Sequence, residues 1–471
     1  MSMSSNSMTR STLPLAVAAG LALAVALVAS PLLVVAIIVT PFCLVWCGRG
    51  LPDSERRLLI AMLAAAIAVR AVVVAAQMLQ GLPSLNDLSV GALAGDESYY
   101  LSRAIRVRDV LLGYGATSYD FFVINDEYGQ TSYLAAMSWL QLVFGPTPYS
   151  LKVINGIIYV LGAALLFRVS RAAFGTLPSF TGLVVLLFLP SLLFSSVSLL
   201  KESSYFFASA VLVTAAWHAV RRARLHEWAA AARWASMIVA TLVVLDGLRR
   251  GGLLLMGGGM LIGLAIWLVA QSRTRLVAAA LACVLAFGAV FTVPALHDRF
   301  LRGVETAAKL HAGHVFTIGH VYKLMDDGFY YTPQAAPQWQ LRFDDGQAIR
   351  FIGRALLSFL VTPWPWEMRS FGELALLPEH ALWYLIVGLL AVGIPVAWRL
   401  DAVATSLFLG FALSTATVVA LTNGNVGTLF RLRGLVTPYL VWTSAAGLCA
   451  IGERAVARAA RPPLGAPRPA L

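Results

Sequence analysis

Apolar residues in this chain gather into long unbroken runs, with polar and charged residues confined to the gaps between them. The pattern has neither the period of two of a half-buried strand nor the one-sided stripe of a soluble helix. Runs of spanning length lie at 58–80, 151–170, 179–199, 203–220, 229–247, 252–270, 276–296, 376–397, 402–421 and 434–452. A helix needs roughly 20 apolar residues to cross the hydrocarbon layer, so each run predicts one membrane span. Ahead of them Leu13 to Trp46 is apolar but broken by Pro31 and Pro41, too long for one upright helix and tight for two. The expected fold is all-α, a polytopic transmembrane bundle of about 11–12 helices.

Two gaps are far longer than turns, 81–150 and 297–375. In the first, Asp96 to Leu112 and Thr131 to Phe144 predict short helices at the membrane interface, with Pro146 and Pro148 ending the second. The expected organisation is an N-terminal apolar segment and basic turn (1–57), a transmembrane core containing the 81–150 loop (58–296) and a large outer loop (297–375). The C-terminal spans (376–452) and a disordered Pro/Arg/Ala-rich cytoplasmic tail (453–471) complete it. No internal repeat is visible.

Composition narrows the class further. Of 471 residues, 59% are hydrophobic and 12% charged, against roughly 25% charged in soluble domains. A soluble, disordered or nucleic-acid-binding protein is excluded in spite of a net charge of +12, and membrane lipids are the expected surroundings. The excess is nearly all arginine, since Lys152, Lys201, Lys309 and Lys323 are the lysines. Arginines at 49, 56, 57, 168, 171, 221, 222, 224, 273, 275, 399, 454, 458, 461 and 468 flank alternate span ends. By the positive-inside rule these ends face the cytoplasm. The expectation is a multi-pass plasma (inner) membrane protein with a cytoplasmic C-terminus and its working face outside. Arg10 and the run ending Val28-Ala29-Ser30 resemble a cleavable leader, but Pro31 argues against cleavage. Cys43, Cys47, Cys283 and Cys449 have neither disulfide-framework nor zinc spacing.

The sharpest local signal is Gly95-Asp96-Glu97-Ser98-Tyr99-Tyr100. Adjacent carboxylates suit the positive end of a helix, and Asp96, Tyr100 and Arg103 share a face at i, i+4 and i+7. That face presents a base, a phenol and a cation; an N-cap with solvated charge explains the same spacing. Asp126-Glu127 before the second interfacial helix reads first as capping, while leaving room for a second acid or a divalent cation. No cofactor is certain. His311, His314 and His320 are a weak metal signal.

Cations in short outer turns run against the positive-inside tendency and call for an anion. They are Lys201 with Glu202, Arg249 after Asp246, and Arg431 with Arg433 after Thr422 to Thr428. A lipid phosphate at the outer leaflet would satisfy them, as would internal ion pairs. Gly424 to Gly427 lacks the spacing of a nucleotide-binding loop, and Pro363-Trp364-Pro365-Trp366-Glu367 suits an interfacial anchor.

With these motifs the chain resembles the GT-C superfamily of integral-membrane glycosyltransferases, in particular bacterial relatives of protein O-mannosyltransferases and of lipid A aminoarabinose transferase (glycosyltransferase family 39-like). The resemblance rests on Asp96-Glu97 with Tyr100, Tyr133 to Gly145, Pro190-Ser191 to Lys201-Glu202, Pro363 to Glu367 with Leu382-Trp383-Tyr384, and Gly424 to Thr428 with Phe430-Arg431 and Pro438. It implies a GT-C-like first outer loop and transfer of a hexosyl or pentosyl group from a polyprenyl phosphate sugar to a lipid-linked, glycan or protein acceptor outside the cytoplasm. It makes Asp96 the leading base, with Glu97 beside it. Lys201, Arg249, Arg431 and Arg433 become donor-phosphate contacts, and Tyr100, Arg103, Asp126, Glu127 and Glu202 substrate-positioning residues. The large soluble C-terminal domain of some relatives is missing. A transporter or flippase of lipid-linked saccharides, or a polymerase acting on diphosphate-linked glycans, would use the same outer cations.

Overall fold

The computed structural model describes residues 30–81, 94–120, 131–317, 319–330, 342–368 and 371–459, with four further positions between 17 and 24. Its helices are α1 (Pro31–Cys47), α2 (Asp53–Gly81), α3 (Ala94–Leu111), α4 (Ser132–Phe144), α5 (Pro148–Phe174), α6 (Thr176–Phe188), α7 (Pro190–Ser196), α8 (Glu202–Arg224), α9 (Trp228–Leu248) and α10 (Gly252–Val269). They continue as α11 (Arg273–Thr292), α12 (Pro294–Val315), α13 (Asp327–Tyr330), α14 (Asp345–Val361), α15 (Phe371–Ala375), α16 (Leu377–Leu400), α17 (Ala402–Thr422), α18 (Val426–Arg433) and α19 (Thr437–Ala459). Among the described residues there is no strand, only an isolated bridge between Val321 and Asn425.

Eight helices, α2, α5, α8, α9, α10, α11, α16 and α17, are long and apolar enough to cross a bilayer. The bent pairs α6–α7 (59°) and α18–α19 (63°) raise the number to as many as 10. The chain is a multi-pass, all-helical membrane protein, and the ten predicted runs fall on these elements. The expectation of 11–12 spans is not met among the described residues. It depended on residues 13–46, whose continuously described part is the 17-residue α1, shorter than a span. The first bend follows from Pro190 at the start of α7, which pushes Leu189 out of the helical region, to φ −60 and ψ 124.

The two short helices expected in the 81–150 loop are present as α3 and α4, which pack on each other. Asp126 and Glu127 lie outside the described residues, as do residues 460–471 of the tail. By its internal packing the chain divides into two compact units. The first comprises residues 1–165, 193–208 and 244–250, the second 166–192, 209–243 and 251–471.

The first unit is built on the buried Leu59, Leu63 and Ala66 of α2, Leu101 and Ala104 of α3, and Val160, Ala163 and Ala164 of α5. Gly162 allows α5 to approach Phe207, since a Cβ there would lie 3.1 Å from that residue's backbone. The second unit centres on α17, whose neighbours include α10, α12, α14 and α19. A Cβ on Gly410 would stand 2.3 Å from the Gly263 nitrogen and 2.4 Å from the Gly259 oxygen. Small residues thus let these two spans touch backbone to backbone, as membrane helices do when lipid removes the hydrophobic drive between them. Helix α11 buries no residue, which suits an apolar surface whose solvent is lipid.

Candidate functional site

In the first unit, α3 begins two residues before Asp96, so the backbone of Asp96 lies in the first helical turn; its side chain is outside the described set. Glu97 is 1% exposed, and its carboxylate Oε2 lies 2.8 Å from Lys152 Nζ, itself fully buried. Lys152 also donates to Gln77 Oε1 at 2.9 Å. Burial pushes the Glu97 carboxyl up, while the Lys152 ammonium pulls it down. This triad joins α3, α2 and α5, so the residue taken for a catalytic neighbour is spent on fixing the start of α3.

One turn on, Tyr100 stacks edge-on against Tyr133 of α4, with ring centroids 5.9 Å apart. Glu97, Tyr100 and Glu202 all lie within electrostatic reach of Tyr133. Asn155 of α5 donates to Tyr133 Oη at 2.9 Å and to the Ser198 carbonyl at 2.7 Å. It thereby fixes the turn between α7 and α8 that carries Lys201 and Glu202. Lys201 Nζ stands 6.0 Å from the Tyr100 ring centre, and Arg103 is buried with its guanidinium 3.5 Å over the Tyr99 ring. Arg249 and Asp246 lie within electrostatic reach of the buried Tyr205, one turn along α8 from Lys201. Residues up to 105 positions apart therefore surround the Tyr100–Tyr133 pair: Glu97, Lys201 and Glu202.

A second, bidentate pair closes the turn after α3. Arg106 donates to both oxygens of Asp120 at 2.6 Å, and Thr117 adds its backbone N–H and hydroxyl at 2.7 Å. The hydrogen bonds from Arg106 hold the Asp120 carboxyl well below the usual range.

The other two predicted phosphate contacts, Arg431 and Arg433, belong to the second unit. Arg433 is 3% exposed. Its Nε donates to the Phe359 carbonyl at 2.9 Å, and its Nη2 donates to the same carbonyl and, at 2.6 Å, to that of Thr362. The guanidinium sits 5.1 Å from the Trp383 ring centre, with Phe359 and Phe430 beside it. That geometry clamps the end of α14 and the Pro363 to Glu367 loop instead of presenting an open phosphate seat. Glu379 and Arg433 line one small cavity, and Glu379 Oε2 accepts from the Ser191 N–H at 3.0 Å. Within the loop, Trp364 and Trp366 stack at 4.8 Å.

The three histidines go to different partners. His311 is fully buried among Tyr322, Tyr330 and Phe351, and burial lowers it to about 4. His314 Nδ1 pairs with the carbonyls of Leu310 and Thr422, and His320 Nδ1 with Glu373 Oε1 at 2.8 Å. Among the described residues no three His, Cys, Asp or Glu side chains converge.

The sequence pattern missed Gln77, Asn155 and the clamp on Arg433. A signal existed for Lys152, one of four lysines and set in the first turn of an apolar span, where an ammonium demands a counterion. No family model, curated protein or solved structure matches the chain.

Proposed function

We propose that the chain is an integral-membrane glycosyltransferase of the GT-C kind. It takes a sugar from a polyprenyl phosphate carrier and passes it to a lipid-linked, glycan or protein acceptor on the outer face of the plasma membrane, with the C-terminus in the cytoplasm. The observation that carries the reading is the meeting of the α3 start with the Lys201 turn around Tyr100 and Tyr133. A carboxylate-bearing helix start and a cation are held together by buried polar ties, near the ends of apolar spans. Asp96 is the base, taking the proton from the acceptor hydroxyl as its oxygen attacks the anomeric carbon. The bond from that carbon to the phosphate oxygen breaks, and the electron pair leaves with polyprenyl phosphate, whose charge Lys201 and Arg249 oppose. Glu97 and Tyr100 position the base.

A second reading, transport of a lipid-linked saccharide, draws support from the two bent spans, with the ionisable Glu379 and Arg433 buried near the breaks. Mass spectrometry of lipids co-purifying with wild type and with Asp96→Asn separates the two. The transferase reading expects a polyprenyl phosphate sugar trapped in Asp96→Asn and depleted in wild type. Equal amounts of that lipid in both, or none in either when the source membranes contain it, would overturn the base assignment and favour transport.

A further inference from the structure

The first unit also carries a groove of about 550 Å³ between α1, α2 and the start of α5. Its walls include Ile37 of α1, Ile67, Ala71 and Met78 of α2, and Val153 and Ile157 of α5, and among the described residues no Lys, Arg, His, Asp or Glu lines it. Along α2 it runs from Ile67 to Met78, about 16 Å at 1.5 Å per residue, which is about half of a ~30 Å hydrocarbon layer. Met78 stands at the end of its span and Pro148 at the start of α5, so the groove descends from the membrane edge through one leaflet.

Its shallow end, Pro146 to Ser150, is polar. Thr147 is 8% exposed, yet its hydroxyl has no hydrogen-bond partner. That hydroxyl therefore does not cap α5, whose first-turn N–H groups on Tyr149 and Ser150 follow directly. The start of a 27-residue helix carries partial positive charge and oriented donors that favour an anion.

We propose that this groove is a phospholipid site, with one acyl chain lying along α1, α2 and α5. The phosphodiester accepts from the Thr147 hydroxyl and the α5 N–H groups. Depth and charge select this occupant. The channel is one leaflet deep, and its head seat offers partial charges only, worth about 0.3–1 kcal/mol for a helix end at an exposed position. Such weak attraction fills a site at the phospholipid concentration of a bilayer but does not capture a scarce carrier, which needs fixed cations. Lys201 and Arg249, assigned to the donor, lie outside the groove lining, so the inference is independent of glycosyl transfer.

Native mass spectrometry of the whole protein released from phospholipid nanodiscs, without a delipidation step, tests it. Wild type should retain one phospholipid per chain. Ala71→Trp, which fills the groove, should lose it. Thr147→Val, nearly isosteric and so safe for folding, should lower retention about tenfold, the equivalent of one hydrogen bond to a charged group. No retained phospholipid in wild type overturns the proposal, and unchanged retention in Thr147→Val removes the head seat. A retained polyprenyl phosphate would assign the groove to the donor. A benzophenone side chain placed at Ala71 that cross-links to residues 11–29 of the chain instead of lipid would overturn the site as well.

Discussion

Lys152 in the first unit and Arg433 in the second are both cations taken almost wholly out of water, and they are neutralised differently. Lys152 has a counterion, Glu97 at 2.8 Å, with Gln77 as a second acceptor. Arg433 is held instead by two carbonyls and three aromatic rings. The choice follows the side chains. An ammonium is a compact point charge best answered by another charge, whereas a planar guanidinium spreads its charge over a fork of donors and two stacking faces. At Lys152 the electrostatics depend on a partner that a single substitution removes; at Arg433 they depend on backbone carbonyls that only refolding removes.

The comparison breaks most visibly at Glu97. Glu97→Ala strands the Lys152 ammonium in a dry site, and removal of one partner from a buried pair costs about 3–5 kcal/mol. Unfolding in mixed micelles by SDS titration should register that loss. Replacing both partners together, as in Glu97→Leu with Lys152→Met, should return most of it, because an apolar pair of similar volume needs no desolvation. If the double variant is as weak as the single one, the pair contributes by shape and not by charge compensation.

His311 is a third solution, a buried titratable ring that stays neutral. Its folded value is near 4 against 6.5 in water, so the unfolded chain binds a proton that the folded chain refuses. Stability is therefore complete above about pH 6.5 and falls as the pH drops towards 4, by about 3 kcal/mol in all. Unfolding midpoints at pH 7.5 and 5 for wild type and His311→Phe measure it. The variant should lose that part of the acid sensitivity, and an unchanged slope would move its cause elsewhere.

Much of this architecture was legible from the chain because lipid imposes one rule, that a span must be long and apolar. The ten runs obey it, and α3 and α4 coincide with the short helices expected within 81–150; the bends at Pro190 and between α18 and α19 were not legible. What pairing does to charge was not legible. Glu97 reads as half of an acidic motif, and its partner Lys152 lies 55 residues away in another helix; nothing local marks that contact. Arg433 reads as a free outer cation because the sequence does not reveal that the carbonyls of Phe359 and Thr362 converge on it.

The smallest expected effect sharpens the contrast at Arg433. If its charge were what mattered, Arg433→Lys would be tolerated and Arg433→Met would not. If the fork matters, the two should behave alike. A single ammonium cannot reach both carbonyls while lying between Trp383 and Phe430, and one buried carbonyl is left without a donor at a cost of about 1–3 kcal/mol. We expect Lys and Met variants within about 1 kcal/mol of each other in SDS titration. Tryptophan emission should shift in both, because Trp383 touches the clamp and Trp364 follows Thr362. Full retention of stability by Arg433→Lys would show that Arg433, like Lys152, is held by charge.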